Sequence, residues 1–255
     1  TSSGFSLNDL LAKGINNLNR LKEILIRWSL HAVAITSDVK KMYNTIKLDE
    51  KDWCYQRYIW QKDLDPGEIP EEKVIKTLIY GVRSSGNQAE VGLRETAKLS
   101  ESVYPEASNI INKDMYVDDC ITGESCKDIA VKRSEELELV VNQGGFQLKG
   151  IAISGEDPPD TLSNDGSTVS VGGMNWYPKS DLVSLNVSEL NFAKKNRGKK
   201  SSSSLNIIPE KLTRRHCASK VAEIFDIVGK ITPITASMKL DLHELVIRGL
   251  NWDDT

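Results

Sequence analysis

Apolar positions along the chain alternate between helical and strand-like spacing. Over residues 6–30, Leu10, Ile15, Leu18, Leu21 and Leu25 recur every three to five positions, which predicts a helix. Val33 to Ser37 is a short apolar run that reads as a strand ending at Asp38. Trp53 to Trp60 and Val74 to Tyr80 are rich in aromatic and β-branched residues and predict two more strands. Asp65-Pro66-Gly67 is the turn signal between them. Ala89, Leu93 and Ala97, at i, i+4 and i+8, mark a helix over 87–99.

Met115 to Thr122 predicts a short hairpin with two aspartates at its centre. Ser125-x-x-Asp128 is a capping-box pattern opening the next helix. That helix carries Ala130, Arg133, Leu137 and Val141 on one face and stops at Gly144-Gly145. Strands are expected at Ile151–Ser154 and Val169–Trp176, and Tyr177-Pro178-Lys179-Ser180 turns the chain into Leu182–Val187. Residues 194–204 are low-complexity and read as a flexible linker. Two helical segments follow, one with Val221, Ile224, Phe225 and Val228, the other with Met238, Leu242, Leu245 and Val246. There is no internal repeat and no regular βαβ rhythm, so the class is α+β.

Composition narrows this little. In 255 residues, 39% hydrophobic and 27% charged positions fit a folded core and exclude disorder. No apolar run approaches the roughly 18 residues of a membrane span, and no signal peptide opens the chain. Cys54, Cys120, Cys126 and Cys217 form no C-x-x-C pair, so four free thiols in a reducing interior are expected, and no zinc site. Net charge is −3, yet nine basic residues and one acid lie between Lys194 and Lys220. That stretch is either a solvated linker or a nucleic-acid contact. The first residue is not Met, so the expectation is of a start inside a longer protein.

The sharpest chemistry is Tyr116-Val117-Asp118-Asp119. Adjacent aspartates in an apolar stretch are costly unless something compensates their charge. Divalent metal would do so, since hard cations prefer carboxylate oxygens; the bland alternative is a turn that favours Asp. Asp38, at a strand end, offers a third carboxylate, or else a helix cap. Three carboxylates can hold two Mg²⁺ ions roughly 3.5–4 Å apart, one activating a primer 3′-hydroxyl and one binding a triphosphate.

These residues resemble a known family. Ser37 to Ile46 resembles motif A of reverse transcriptases, Tyr80 to Ala89 motif B, and Tyr116 to Asp119 motif C. Gly144 to Leu148 resembles motif D, and Val171 to Trp176 motif E, the primer grip. Ser6-Leu7-Asn8-Asp9 with Gly14 resembles the segment before motif A in retrotransposons of the BEL/Pao type. Leu212 to Asp226, Gly229, Pro233 and Leu250 to Asp254 resemble the segment after their polymerase palm. The resemblance covers essentially the whole chain.

The resemblance implies a right-hand polymerase palm, an antiparallel sheet backed by helices. Residues 1–48 would be the palm entry, 49–80 partial fingers, 81–187 palm, and 188–255 thumb and the start of a connection. The implied activity is RNA-directed DNA polymerisation with Mg²⁺, or Mn²⁺, on a primer–template of RNA/DNA or DNA/DNA, from dNTPs. Asp38, Asp118 and Asp119 would be catalytic and metal-binding, with Val39 lending a carbonyl. Tyr43 would exclude a ribose 2′-hydroxyl, unless it is a core tyrosine. Tyr80, Gly81 and Lys149 would meet the nucleotide. Tyr116, Val117, Gly173, Met174, Trp176, Arg214 and Arg215 would meet primer or template, with Trp176 alternatively a core aromatic. Gly86 stands where many relatives have proline, and Gly150 where many have the motif D lysine. The basic fingers strands would precede position 1, so weak activity of this chain alone is expected. No ribonuclease H, integrase or protease portion is recognised. The implied setting is intracellular, in a retroelement particle, without membrane contact. Two other readings remain: a catalytically silent nucleic-acid-binding remnant, and an unrelated fold with a chance Y-x-D-D.

Overall fold

A computed structural model describes residues 4–62, 67, 69–163, 165–185 and 209–254. In chain order the elements are α1 (Leu7–Leu10), α2 (Leu21–Trp28), β1 (Val33–Val39), α3 (Met42–Thr45), β2 (Arg57–Trp60), β3 (Glu71–Val74), α4 (Ser85–Ser100) and α5 (Pro105–Asp114). Then come β4 (Met115–Tyr116), β5 (Asp119–Glu124), α6 (Lys127–Gln143), β6 (Leu148–Ile153), β7 (Val169–Val171), β8 (Met174–Tyr177), β9 (Leu182–Leu185), α7 (Arg214–Glu223) and α8 (Thr232–Ile247). Mixed helices and antiparallel sheets make an α+β chain, divided into two compact units.

The first unit spans residues 1–169 and 178–181. Its centre is a four-stranded sheet in the order β4-β5-β1-β6, with β1 antiparallel to both neighbours. β1 is buried or half-buried at every position, its polar Thr36 and Ser37 included, because both of its faces are covered. On one face Ile35 packs with Ala130 and Ile153, and Val39 joins the main core with Leu93, Ile111 and Leu137 from α4, α5 and α6. Asp38 alternates with these residues and so belongs to the opposite face. β2 and β3 form a separate two-stranded sheet whose Ile59 and Trp60 are exposed.

The second unit holds residues 170–177 and 182–255. β8 pairs antiparallel with β9 in a sheet ordered β7-β8-β9, and α7 packs on α8. Gly172 and Gly173 turn β7 into β8 at φ +54° and +85°, values that L side chains rarely adopt.

Several expectations are corrected. Residues 6–30 are not one helix: only α1 and α2 form, joined by an irregular strap. Gly14 at φ +83° breaks the path, and Leu10 and Ile15 are more than 70% exposed, so their spacing marks no buried face. Trp53–Tyr55 lies in a 3₁₀ turn before β2, and the strand expected over 74–80 ends at Val74. The capping box at Ser125 does not form: Cys126 takes the N-cap position of α6 with no side-chain bond. Arg133 leaves the apolar face of α6 to pair with Glu124 and Glu136. The strand expected over 169–176 is broken by its glycines into β7 and β8. Ile224, Phe225 and Val228 fall beyond the end of α7. The expected turn at Asp65-Pro66, the end of the 182–187 strand and the 194–204 linker lie outside the described residues.

Candidate active site

The site is built on the pairing of β1 with β5. Their register sets Asp38 directly opposite Asp119. Two carboxylates facing across an antiparallel pair repel, so this arrangement is unfavourable without a compensating cation. Asp118 sits in the two-residue turn between β4 and β5, and its carbonyl accepts the Val39 N–H at 2.8 Å. Val117, the other turn residue, has φ +58°, a strained region for a β-branched side chain. A positive φ at the first turn residue alone is the II′ pattern, which favours Gly. Here the turn keeps valine instead.

The electrostatics follow from this crowding. Burial pushes the Asp119 carboxyl up to about 6, with the charges of Asp118 and Asp38 adding and Lys149 opposing. Burial also raises Asp38, which Lys149 partly offsets and Asp118 reinforces. Tyr43 is raised by burial and then by Asp118 and Tyr80. The Asp38 ion pair raises Lys149. Three carboxylates thus share one field. Even so, among the described residues no three His, Cys, Asp or Glu side chains form a group that could hold a metal ion as they stand.

A β-bulge explains where Lys149 goes. β1 and β6 pair Ser37 with Ile151 and Val39 with Leu148, leaving Lys149 and Gly150 opposite the single residue Asp38. Gly150 has φ +150°, and a Cβ on it would meet Thr161 Oγ1 at 2.7 Å. Lys149 Nζ lies 2.8 Å from Asp38 Oδ1. That oxygen is buried and receives no well-directed hydrogen bond, so the contact is ionic but misaligned. An oxygen of this kind fits a metal ion, which needs no donor angle.

Around this centre the Tyr43 and Tyr80 rings stack at 4.5 Å, tilted by 52°. Gly81 turns the chain at φ +87° with open space where its Cβ would be. Sequence reasoning missed what holds this turn. Asn8 Nδ2 donates to the Gly81 carbonyl at 2.7 Å, and Asn8 Oδ1 accepts the Arg83 N–H at 2.8 Å. Farther along the strap, Asn87 donates to the Ile15 carbonyl and Arg94 to that of Asn17. A Cβ on Gly14 would collide with Asn87. Strap, α3, α4 and the β4–β5 turn border an open pocket of about 190 Å³ lined by Lys13, Ile15, Tyr43, Arg83, Asn87 and Val117. Asn8 and Gly14 already stood in a recognised segment, but no local pattern reveals a partner more than 70 residues away.

In the second unit Met174 and Trp176 are buried, so their side chains pack inward. Gly173 lies under the Phe225 ring, 2.6 Å from where a Cβ would be. Arg214 stacks on Trp252 at 4.2 Å and donates to the Leu250 carbonyl. Arg215 makes a forked pair with Asp253 at 2.8 and 3.1 Å. Both arginines therefore hold the C-terminal turn.

Comparison with known proteins gives two likenesses. Residues 213–255 match the family model described as Pao retrotransposon-like RNaseH-like domain, a likeness to ribonuclease H that the sequence reading lacks. Within 213–254 the described elements are α7 and α8, with no strand. No curated protein matches the sequence. The fold is similar to that of a foamy viral protease-reverse transcriptase solved in complex with RNA/DNA hybrid, at a TM-score of 0.50 and 12% identity. The match covers 90% of this chain and 26% of that one. Both likenesses, one in sequence over the C-terminal segment and one in fold over most of the chain, are to retroelement Pol proteins.

Proposed function

We propose that this chain is the core of an RNA-directed DNA polymerase, joining dNTPs to a primer 3′-hydroxyl on an RNA or DNA template. The observation that carries the reading is the register of β1 and β5, which sets Asp38 against Asp119 with Asp118 at the adjoining turn. Asp38, Asp118 and Asp119, with the Val39 carbonyl, would hold Mg²⁺ or Mn²⁺, which when bound activates the hydroxyl and neutralises the triphosphate. Tyr43, stacked on Tyr80, forms a rigid wall for the incoming sugar, and Gly81 keeps backbone close to it. Lys149 is the nearest described cation to Asp38 and would meet the nucleotide phosphates. Tyr116 and Val117 would support the primer end, and the Gly173–Trp176 turn its strand. Arg214 and Arg215 would reach nucleic acid only by sharing guanidinium groups already engaged at Trp252 and Asp253.

A second reading is favoured by one observation: among the described residues no three-ligand metal group stands ready. On that reading the chain binds nucleic acid without catalysis. Extension of a DNA primer on an RNA template by the purified chain, with Mg²⁺ or Mn²⁺, separates the two. Polymerisation predicts extension, however slow, that disappears in Asp118→Asn while hybrid binding persists. Hybrid binding with no extension in either protein supports the silent remnant, and extension undiminished in Asp118→Asn refutes the carboxylate assignment.

A further inference from the structure

The position of Lys149 has a consequence for how metal enters the site. Its ammonium is 2.8 Å from Asp38 Oδ1, and all three carboxylates act on its charge. The bulge at Lys149-Gly150 is the cause: two residues of β6 oppose one of β1. Gly150 secures it, being held at a positive φ and packed on Pro159 and Thr161 where no side chain fits. A divalent ion on Asp38 and an ammonium at 2.8 Å from the same oxygen would repel strongly. Each therefore weakens the other's hold on that oxygen.

We propose that Lys149 is a displaceable counter-cation, holding the cation position at Asp38 and moving aside when a divalent ion binds. The inference rests on the reading of Asp38, Asp118 and Asp119 as metal ligands. It explains two facts together: opposed carboxylates are tolerated in a half-buried register, and among the described residues they form no ready three-ligand group. Lysine suits the role. It is a compact point charge on a flexible four-carbon stem, without the fork that would lock an arginine onto the carboxylate. Its side chain is 40% exposed against 21% for Asp38, so a path to solvent is open. Metal loading then releases an ammonium beside the site where the nucleotide phosphates would lie.

The test uses the whole chain, stripped of metal by a chelator. Mn²⁺ binding is followed by electron paramagnetic resonance of the free ion for wild type, Lys149→Met and Lys149→Arg. In parallel, acetylation of Lys149 by an amine-reactive reagent is measured by mass spectrometry with and without Mg²⁺, using exposed Lys98 as the reference. Displacement predicts that Lys149→Met binds Mn²⁺ at least about tenfold more tightly, since one nearby positive charge is gone. Lys149→Arg gains nothing, and in wild type Mg²⁺ speeds acetylation of Lys149 but not of Lys98. The inference is overturned if Mn²⁺ binds wild type and Lys149→Met equally, or if Mg²⁺ shown to be bound leaves Lys149 acetylation unchanged. In those cases the metal site itself still stands. If neither protein binds Mn²⁺, the metal reading fails and this inference fails with it. The acetylation readout on wild type serves even if Lys149→Met does not fold.

Discussion

At the residue scale, the crowding of carboxylates makes stability depend on pH in a definite direction. The Asp119 carboxyl rises from 3.8 to about 6 on folding. Below 3.8 folded and unfolded chains both hold its proton, so nothing is lost. Between 3.8 and about 6 only the folded chain keeps it, so stability falls as pH rises through that window and levels off above it. Asp38 is raised in the same direction and adds to the fall. Metal-free protein should thus unfold more easily at about pH 7 than at about pH 4 as far as this site is concerned, and Asp119→Asn should flatten much of that slope in urea titrations. A slope identical to wild type would mean that Asp119 is not strained. Val117 gives a second residue-scale prediction. Its φ of +58° costs about 1–3 kcal/mol. Val117→Gly should leave stability unchanged or raise it, whereas valine to glycine in a strand normally destabilises. Tyr43→Val, by removing the ring stacked on Tyr80, should raise incorporation of ribonucleotides relative to deoxyribonucleotides in any active form of the enzyme. An unchanged ratio would leave Tyr43 as packing.

At the element scale, the bulge between β1 and β6 and the strap before α2 carry the site. Gly150→Ala would drive a Cβ into Thr161 and strain a backbone at φ +150°, so a destabilisation of about 1–3 kcal/mol is expected, with the Lys149–Asp38 pair disturbed. A substitution without cost would show that the bulge relaxes freely. These two elements also mark the limit of what is legible in the sequence. The strand ending at Asp38, the hairpin around Asp118-Asp119 and the helix over 87–99 could be read because each is a local pattern of apolar period or turn chemistry. The strap could not. Leu10, Ile15 and Leu18 keep a helical spacing, but the carbonyls of Ile15 and Asn17 bond to Asn87 and Arg94 instead of continuing a helix. Tertiary hydrogen bonds override the local period there. Gly150 stood out only as a missing lysine, because its reason, packing on Pro159 and Thr161, comes from a loop outside its own strand. Asp38, Asp118 and Asp119 were legible as a set, whereas the misaligned Lys149 pair that occupies Asp38 needed the register of three strands.

At the scale of the whole molecule, the fold is antiparallel sheet with helices, divided into two compact units, and its second unit ends in a small clasp. Arg214 on Trp252 and Arg215 on Asp253 tie α7 to the C-terminal turn. Replacing both arginines with Ala should lower the unfolding temperature of that unit. If they also touch a nucleic-acid backbone, hybrid binding should weaken for all sequences, and the salt slope should fall by roughly one for each phosphate no longer neutralised. A lower unfolding temperature with an unchanged slope would leave them as a clasp alone. The central claim is that three carboxylates at the end of β1 and in the β4–β5 hairpin bind catalytic metal. Anomalous scattering from Mn²⁺ in crystals of the chain with RNA/DNA hybrid and a non-hydrolysable dNTP analogue locates the ions directly. The account predicts two peaks roughly 3.5–4 Å apart, touching Asp38, Asp118 and Asp119. Bound hybrid and analogue with no Mn²⁺ peak at those carboxylates would contradict it.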